Sequence, residues 1–283
     1  MEQNNKIMVN YYIEIGGIMI DLHNHSEFSV DSRTPMEENI LSAINNGLKY
    51  ISITDHMEIV EVTDVYSDTL DVEGYFNKYK KLKETYKDDI TVLSGVEVGI
   101  QECTAKIVDD FVSKFDYDFV IGSVHSLFEK DLYHGGYYKN LTTDELYKTY
   151  YEEMYKAVKA TRNFDVLGHI DYIDRYLDKG VKVPNQEDNK ETILKIFKEL
   201  IDSNRGIEIN TGGYRRGLPY LHPHEKILKW YKEAGGEIIT IGSDAHISKD
   251  VGANSKDAVD YLKANGFTGV YIFENRKPRK LKF

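Results

Sequence analysis

Six of the nine histidines in this 283-residue chain sit in short motifs that close runs of apolar and β-branched residues. His23 and His25 stand in Asp21-Leu22-His23-Asn24-His25, His56 in Ile53-Thr54-Asp55-His56 and His125 in Gly122-Ser123-Val124-His125. His169 lies in Gly168-His169-Ile170-Asp171, and His246 in Gly242-Ser243-Asp244-Ala245-His246. Glu97 ends a similar run, Ser94-Gly95-Val96-Glu97, and Asp244 shares the last histidine's motif. Residues two apart on a strand face the same side, so His23 and His25 can reach one cation. Imidazole and carboxylate together suit zinc, manganese or iron. One histidine at a strand end is usually a polar rim residue; six, with two acids, point to a metal cluster.

Such scattered residues need a scaffold that makes them converge. Strand patterns cover residues 18–23, 50–55, 91–98, 119–125, 166–169, 206–210, 238–243 and 269–273. Helical patterns cover 35–46, 72–86, 104–115, 143–161, 187–203, 222–234 and 255–265. Thr34-Pro35 is expected to open the first helix as N-cap and first-turn proline. The helix at Thr143 carries Asp144 and Glu145 at its positive end, without a capping-box Glu at Leu146. Gly235-Gly236 stops the penultimate helix. This alternation implies parallel strands joined by helical crossovers, and seven or eight units favour a closed barrel over an open sheet. In a barrel all strand ends share one rim, which brings together residues more than 200 positions apart. A single α/β domain is expected over residues 19–283. Residues 1–18 would be an N-terminal extension, with Met19 an alternative start.

Composition excludes several classes. Hydrophobic residues are 41% and charged residues 29%, as in a packed globular protein. The net charge of −11 argues against nonspecific nucleic-acid binding, which needs Lys and Arg to displace counterions. Cys103 is the sole cysteine and can form no intrachain disulfide, which fits a reducing cytoplasm; it reads as a packing or surface residue. No run approaches the roughly 20 apolar residues that cross a bilayer. The apolar stretch 7–20 contains Asn10 and Glu14 and lacks a basic leader, so no signal peptide is expected. The basic tail 277–282 reads as a solvated end. His222 and His224 also form His-x-His, but they precede a helix away from any strand end and read as helix-leading residues. His134 fits a substrate-binding loop or a plain surface position equally. Gly212-Gly213 fits either a close backbone approach or a turn. Asp21 and Asp55 stand beside ligand histidines, where a carboxylate could orient an imidazole. No Gly-x-Ser-x-Gly or Cys-x5-Arg motif offers a side-chain nucleophile.

As an ordered set, His-x-His, Thr-Asp-His, Gly-x-Glu, Ser-x-His, Gly-His-x-Asp and Ser-Asp-Ala-His resemble the polymerase and histidinol phosphatase (PHP) family. The likeness runs from about Met19 to the end. Within the family the pattern is most similar to the stand-alone bacterial histidinol-phosphatases. The resemblance implies a distorted (β/α)7 TIM-like barrel and three divalent metal ions, with zinc, manganese and iron all acceptable. It implies one metal on His23, His25, Glu97 and Asp244, a second sharing Glu97 with His125 and His169, and a third on His56, His246 and Asp31. Asp31 by itself would read as a turn acid. It further implies that Arg175 and Arg215, rather than Arg216, clamp a phosphate in the bidentate manner open to guanidinium. Glu97, Asp244, Arg175 and Arg215 are then the expected catalytic set. The implied reaction is hydrolysis of a small phosphate monoester, L-histidinol phosphate, in histidine biosynthesis. Three alternatives stay open: a PHP phosphatase for another phosphate ester or phosphotyrosine, a non-catalytic metal-binding PHP module, and an amidohydrolase. The last is the poorer match, since it would want a bridging Lys where this chain has His125.

Overall fold

The structure is a computed structural model that describes residues 19–59, 70–133, 140–177 and 180–283. The expected extension 1–18 and His134 lie outside the described residues. The first strands are β1 (Ile20–Asp21), β2 (Tyr50–Ile53), β3 (His56–Met57), β4 (Thr91–Gly99) and β5 (Phe119–Ser123). There follow β6 (Ser126–Leu127), β7 (Lys130–Asp131), β8 (Val166–Leu167), β9 (Gly206–Asn210), β10 (Ile239–Gly242), β11 (Gly269–Glu274) and β12 (Lys277–Lys282).

Seven of them pair in the order β1-β2-β4-β5-β8-β9-β10, all parallel. Strands covered on both faces read as near-continuous apolar runs; β4 is accordingly buried from Val92 to Gly99. The seam between last and first strand is closed by backbone bonds. Leu22 N–H donates to Ile241 C=O at 2.9 Å, Asp244 N–H to His23 C=O at 2.6 Å and His25 N–H to Ala245 C=O at 2.8 Å. The expected seven-stranded barrel is what forms. β3 continues beyond β2 along β4 and sets His56 opposite Glu97.

The segment expected as an eighth unit folds otherwise. β11 pairs antiparallel with β12, so the basic tail is a strand and not a loose end, although its side chains stay largely in solvent. Asn275 (φ 50°) and Arg276 (φ 62°) form the two-residue turn whose twist suits a hairpin. That turn closes the amino-terminal end of the barrel: Arg276 N–H donates to Asp118 C=O at 2.9 Å, and Arg276 Nε to Asp165 Oδ2 at 2.7 Å.

The helices α1 (Met36–Asn45), α2 (Val72–Thr85), α3 (Ala105–Val112), α4 (Thr143–Ala160), α5 (Lys190–Asp202), α6 (Gly212–Arg215), α7 (Glu225–Glu233) and α8 (Ser255–Ala264) accompany the strands. α4 buries Leu146, Tyr147, Tyr150, Tyr151, Met154, Ala157 and Val158, the apolar stripe of a helix lying on a sheet. Its N-cap is Thr142, one residue earlier than expected, and with Glu145 it forms the capping box that a start at Thr143 hides. In α1 the N-cap position falls to Pro35. The Thr34 hydroxyl instead donates to the His246 carbonyl at 3.1 Å, tying this corner to the last metal motif. Among the described residues no helix is long and apolar enough to cross a membrane.

Candidate metal centre

All nine expected ligands gather at the carboxyl-terminal mouth. The Nε2 atoms of His23 and His25 lie 3.1 and 3.5 Å from Glu97 Oε2, and 3.8 and 3.5 Å from Asp244 Oδ1. Glu97 Oε1 lies 3.4 Å from His125 Nε2 and 3.1 Å from His169 Nε2. Asp31 Oδ2 lies 2.8 Å from His246 Nε2 and 3.6 Å from His56 Nε2. Glu97 therefore divides its two oxygens between two groups. His25 stands within reach of the first group and also of the Asp31–His56–His246 group, a sharing the family pattern did not suggest.

His23 Nε2, His25 Nε2 and Glu97 Oε2 are buried without a hydrogen-bond partner, although they face one another at ion-pair distance. Buried polar atoms are normally paired. Lone pairs that converge yet satisfy nothing are what a cation resolves, so the donor set fits divalent metals of the nitrogen- and oxygen-loving kind.

The electrostatics divide the histidines. Burial and the neighbouring His246 and His56 push His25 down to about 3. Burial likewise lowers His169 to about 4 against the pull of Glu97. Burial also opposes the charged form of His125, but Glu58 and Glu97 outweigh it and raise this imidazole to about 10. Burial disfavours the Glu97 carboxylate, yet His23, His125 and His56 hold it well below its usual range.

Carboxylates behind the ligands set the rings, though not those expected. Glu208 Oε1 takes His23 Nδ1 at 2.6 Å, while its Oε2 accepts the His169 backbone N–H at 3.0 Å. Glu58 Oε1 takes His125 Nδ1 at 2.6 Å. Each pairing turns the opposite ring nitrogen toward the cluster. Asp21 bonds no imidazole ring: it accepts from the backbone N–H of His23 (3.2 Å), Ser243 N–H (2.8 Å), Ser243 Oγ (2.5 Å) and Gly252 N–H (2.7 Å). It thus braces the turn in which Asp244 adopts φ 58°, a left-handed conformation tolerated by Asp and typical of functional corners. Asp55 acts at one remove: Ser29 Oγ donates to it at 3.0 Å and lies 3.1 Å from His25 Nδ1.

Arg175 sits in the 3-10 turn Tyr172–Tyr176, over the Tyr172 ring at 4.8 Å. Its Nη1 donates to Asp244 Oδ2 at 2.8 Å. Arg215 turns inward and donates through Nη2 to the Ser243 carbonyl, leaving Nη1 buried and unpartnered, whereas Arg216 is exposed. A side chain on Gly212 would come within 2.9 Å of Arg175 Nη2, so the close-approach reading of this glycine applies. His224 leads α7 as expected, its Nδ1 accepting from Lys226 N–H. His222 does more: it is fully buried and bonded to Asp171 and Arg175. Cys103 is exposed and belongs to none of the ligand groups.

Sequence reasoning passed over Glu58, Glu208 and Asn210, and read His222 only as a helix-leading residue. For Glu208 and Asn210 a signal existed, in Ile207-Glu208-Ile209-Asn210, where alternation on a strand buried on both faces sends both polar residues into the barrel.

The family model described as the PHP domain matches residues 21–212, and the chain belongs to that family. A histidinol-phosphatase of Lactococcus lactis is 29% identical over 267 residues, spanning 93% of this chain and 97% of its own. A Clostridium acetobutylicum protein named "Probable histidinol-phosphatase" is 31% identical, spanning 92% of this chain and 98% of its own. The crystal structure of the Lactococcus lactis histidinol phosphate phosphatase, complexed with zinc, L-histidinol and phosphate, superposes with a TM-score of 0.84 at 28% identity. It covers 93% of this chain and 99% of that one.

Proposed function

We infer that this chain is a metal-dependent histidinol-phosphatase, hydrolysing L-histidinol phosphate to L-histidinol and phosphate in histidine biosynthesis. The observation that carries the reading is the near full-length match to the Lactococcus lactis enzyme, whose crystal structure holds zinc, L-histidinol and phosphate. The metals would be held by His23, His25, Asp31, His56, Glu97, His125, His169, Asp244 and His246. Bound there, divalent cations ionise water near neutral pH and neutralise charge on phosphoryl oxygens. Glu97 would serve two of these donor groups, one through each carboxylate oxygen, and Asp244 would serve the first from the barrel seam. Arg175 and Arg215 receive the substrate phosphate. Support for Arg215 comes from its buried, unpartnered Nη1, while Arg216 points to solvent. The Tyr172 ring, stacked on His169 at 4.5 Å, shields that side of the cluster from water. The functional unit is residues 19–283 with 1–18 as an extension, and the enzyme works in the cytoplasm, where a lone thiol stays reduced.

The test is phosphate release from L-histidinol phosphate beside phosphotyrosine, sugar phosphates and nucleotides, after loading with zinc, manganese or iron. L-histidinol phosphate is expected to give the highest kcat/KM by at least about tenfold, the scale of one good polar contact. A tenfold preference for another ester would replace the substrate, and no turnover of any ester would leave a metal-binding module.

A further inference from the structure

Arg175 is buried, with a side chain only 6% exposed. Three acceptors from three separate parts of the chain hold its guanidinium. Asp244 Oδ2 takes Nη1 at 2.8 Å, Asn210 Oδ1 takes Nη2 at 3.0 Å, and His222 Nε2 takes Nε at 3.1 Å. Asp244 has its own place in the metal cluster. Asn210 ends β9, and its amide also donates to Glu208 at 3.1 Å. His222 belongs to neither group, yet it is fully buried and its backbone pairs with Asn210 in both directions, at 2.8 and 3.0 Å.

The protonation of this histidine follows from its partners. Its Nδ1 lies 2.7 Å from Asp171 Oδ1, and a carboxylate can only accept, so Nδ1 carries the proton. Nε2 then presents a lone pair, and Arg175, which can only donate, fills it. The Asp171 side chain is fixed in turn by the His224 backbone N–H, which reaches its other oxygen at 2.7 Å. The result is a buried line, Asp171–His222–Arg175–Asp244, running from the α7 leader to the candidate metal centre. Buried polar lines of this kind are costly compared with apolar packing, and stability alone does not explain one. What the line does accomplish is geometric. Three directional acceptors fix the plane of a guanidinium and leave two of its N–H bonds uncommitted.

We propose that His222 is a positioning residue for phosphate recognition: with Nδ1–H locked on Asp171, its neutral Nε2 holds the Arg175 guanidinium in the plane that presents its free N–H bonds to the substrate phosphate. The proposal rests on the reading of Arg175 as a phosphate ligand. It assigns a role to a histidine whose sequence context suggests only the lead-in to a helix.

The experiment is a double-mutant cycle in the metal-loaded enzyme, reading KM for L-histidinol phosphate, inhibition by inorganic phosphate and bound metal. H222L removes both halves of the line. H222Q returns an acceptor toward Arg175 without the donor to Asp171, and H222N keeps the donor without the acceptor. H222L and H222N should raise KM and the phosphate inhibition constant about tenfold, the scale of one hydrogen bond to a charged group. Metal content should not change, and H222Q should recover most of the loss. In an R175A background H222L should add less than about twofold, because the two residues act as one unit. An equal loss with and without Arg175, or a KM unchanged in H222N, overturns the proposal. Should H222L fail to fold, H222N and H222Q carry the same contrast. If R175A itself leaves KM and phosphate inhibition unchanged, the phosphate-ligand reading falls and takes the proposal with it. If R175A is damaging while H222N is silent, only the proposal falls.

Discussion

The two ends of this barrel bury similar charged residues and treat them in opposite ways. At the amino-terminal end, Asp118 accepts from Ser94 N–H at 3.0 Å, Tyr79 OH at 2.9 Å and Asn275 N–H at 3.0 Å. Asp165 accepts from Val120 N–H at 2.8 Å and Arg276 Nε at 2.7 Å. Each carboxylate there is enclosed by donors. At the carboxyl-terminal end, Glu97 keeps Oε2 without a hydrogen bond, and His23 and His25 keep Nε2 the same way. The buried carboxylates at one end are satisfied by the chain itself; the converging donors at the other fit something added to them. On the function proposed above, the difference separates residues that stabilise a fold from residues that would hold metal and substrate.

The sharpest way to break the contrast is to remove what the mouth requires. Purified protein should carry roughly two to three equivalents of transition metal, as expected for closed nitrogen and oxygen donor sets. Exhaustive chelation should take phosphatase activity to background, and zinc or manganese should restore it. Full activity in metal-depleted protein, checked by elemental analysis, would falsify the metal assignment.

Next in size is the acid that joins two groups. Glu97→Gln keeps shape and removes charge, and turnover should fall by at least about 100-fold, the scale of losing a key electrostatic group. Near-normal turnover with normal metal content would show that Glu97 is no bridge. Smaller losses are expected at the arginines proposed to hold the phosphate. Arg175→Ala and Arg215→Ala should each raise KM about tenfold and lower kcat, since phosphate charge shifts during the reaction and part of the contact acts in the transition state. Arg216→Ala, at an exposed position, should change KM less than about twofold. Damage from Arg216→Ala with Arg215→Ala silent would put the register of the loop off by one.

The two ends also differed in how legible they were. The metal motifs could be read because a ligand at a strand end is local: His-x-His and Ser-Asp-Ala-His each announce strand, turn and donor within five residues. Asp31 needed the family resemblance, since nothing local marks an acid 46% exposed on its side chain as part of a cluster. Glu58 and His222 were hidden because their partners, His125 and Arg175, are 67 and 47 residues away. The closing hairpin was misread for a related reason. Its basic strand has no apolar alternation, and only its pairing with β11 makes it a strand.

The satisfied end makes a prediction of opposite kind. Asp165→Asn weakens the bond to Arg276 at the barrel's closed end, where the Asp165 and Arg276 side chains are 8% and 26% exposed. Stability to urea should drop by about 1.5–3 kcal/mol, the range for hydrogen bonds to charged groups. KM and kcat should remain within about twofold, because the change lies at the face where barrel substitutions touch stability. A KM shift without loss of stability would reverse the division between the ends.

The finest difference is in pH dependence without metal. His125 is raised to about 10 by Glu58 and Glu97 against the effect of burial, so the folded protein holds a proton there that the unfolded chain releases near pH 6.5. Stability from this pairing is fully present below the unfolded value and is lost as pH climbs through about 10. His25 and His169 are pushed by burial to about 3 and about 4, so they oppose folding as pH falls below about 6.5, when the unfolded chain takes up protons that they refuse. Metal-free protein should therefore be most stable near neutrality. Bound metal requires all three imidazoles to be deprotonated, so it removes the alkaline loss and sharpens the acid one. Melting curves with chelator and with zinc, taken from pH 6 to pH 9.5, should diverge as pH rises, the metal-free Tm falling while the loaded one holds. Asp165 at the far end is the same in both samples and cancels from the difference. Parallel curves between pH 7 and 9.5 would mean that none of the raised imidazoles, His23, His56 and His125, carries an extra proton in the metal-free mouth, and that the contrast between the two ends is one of geometry alone.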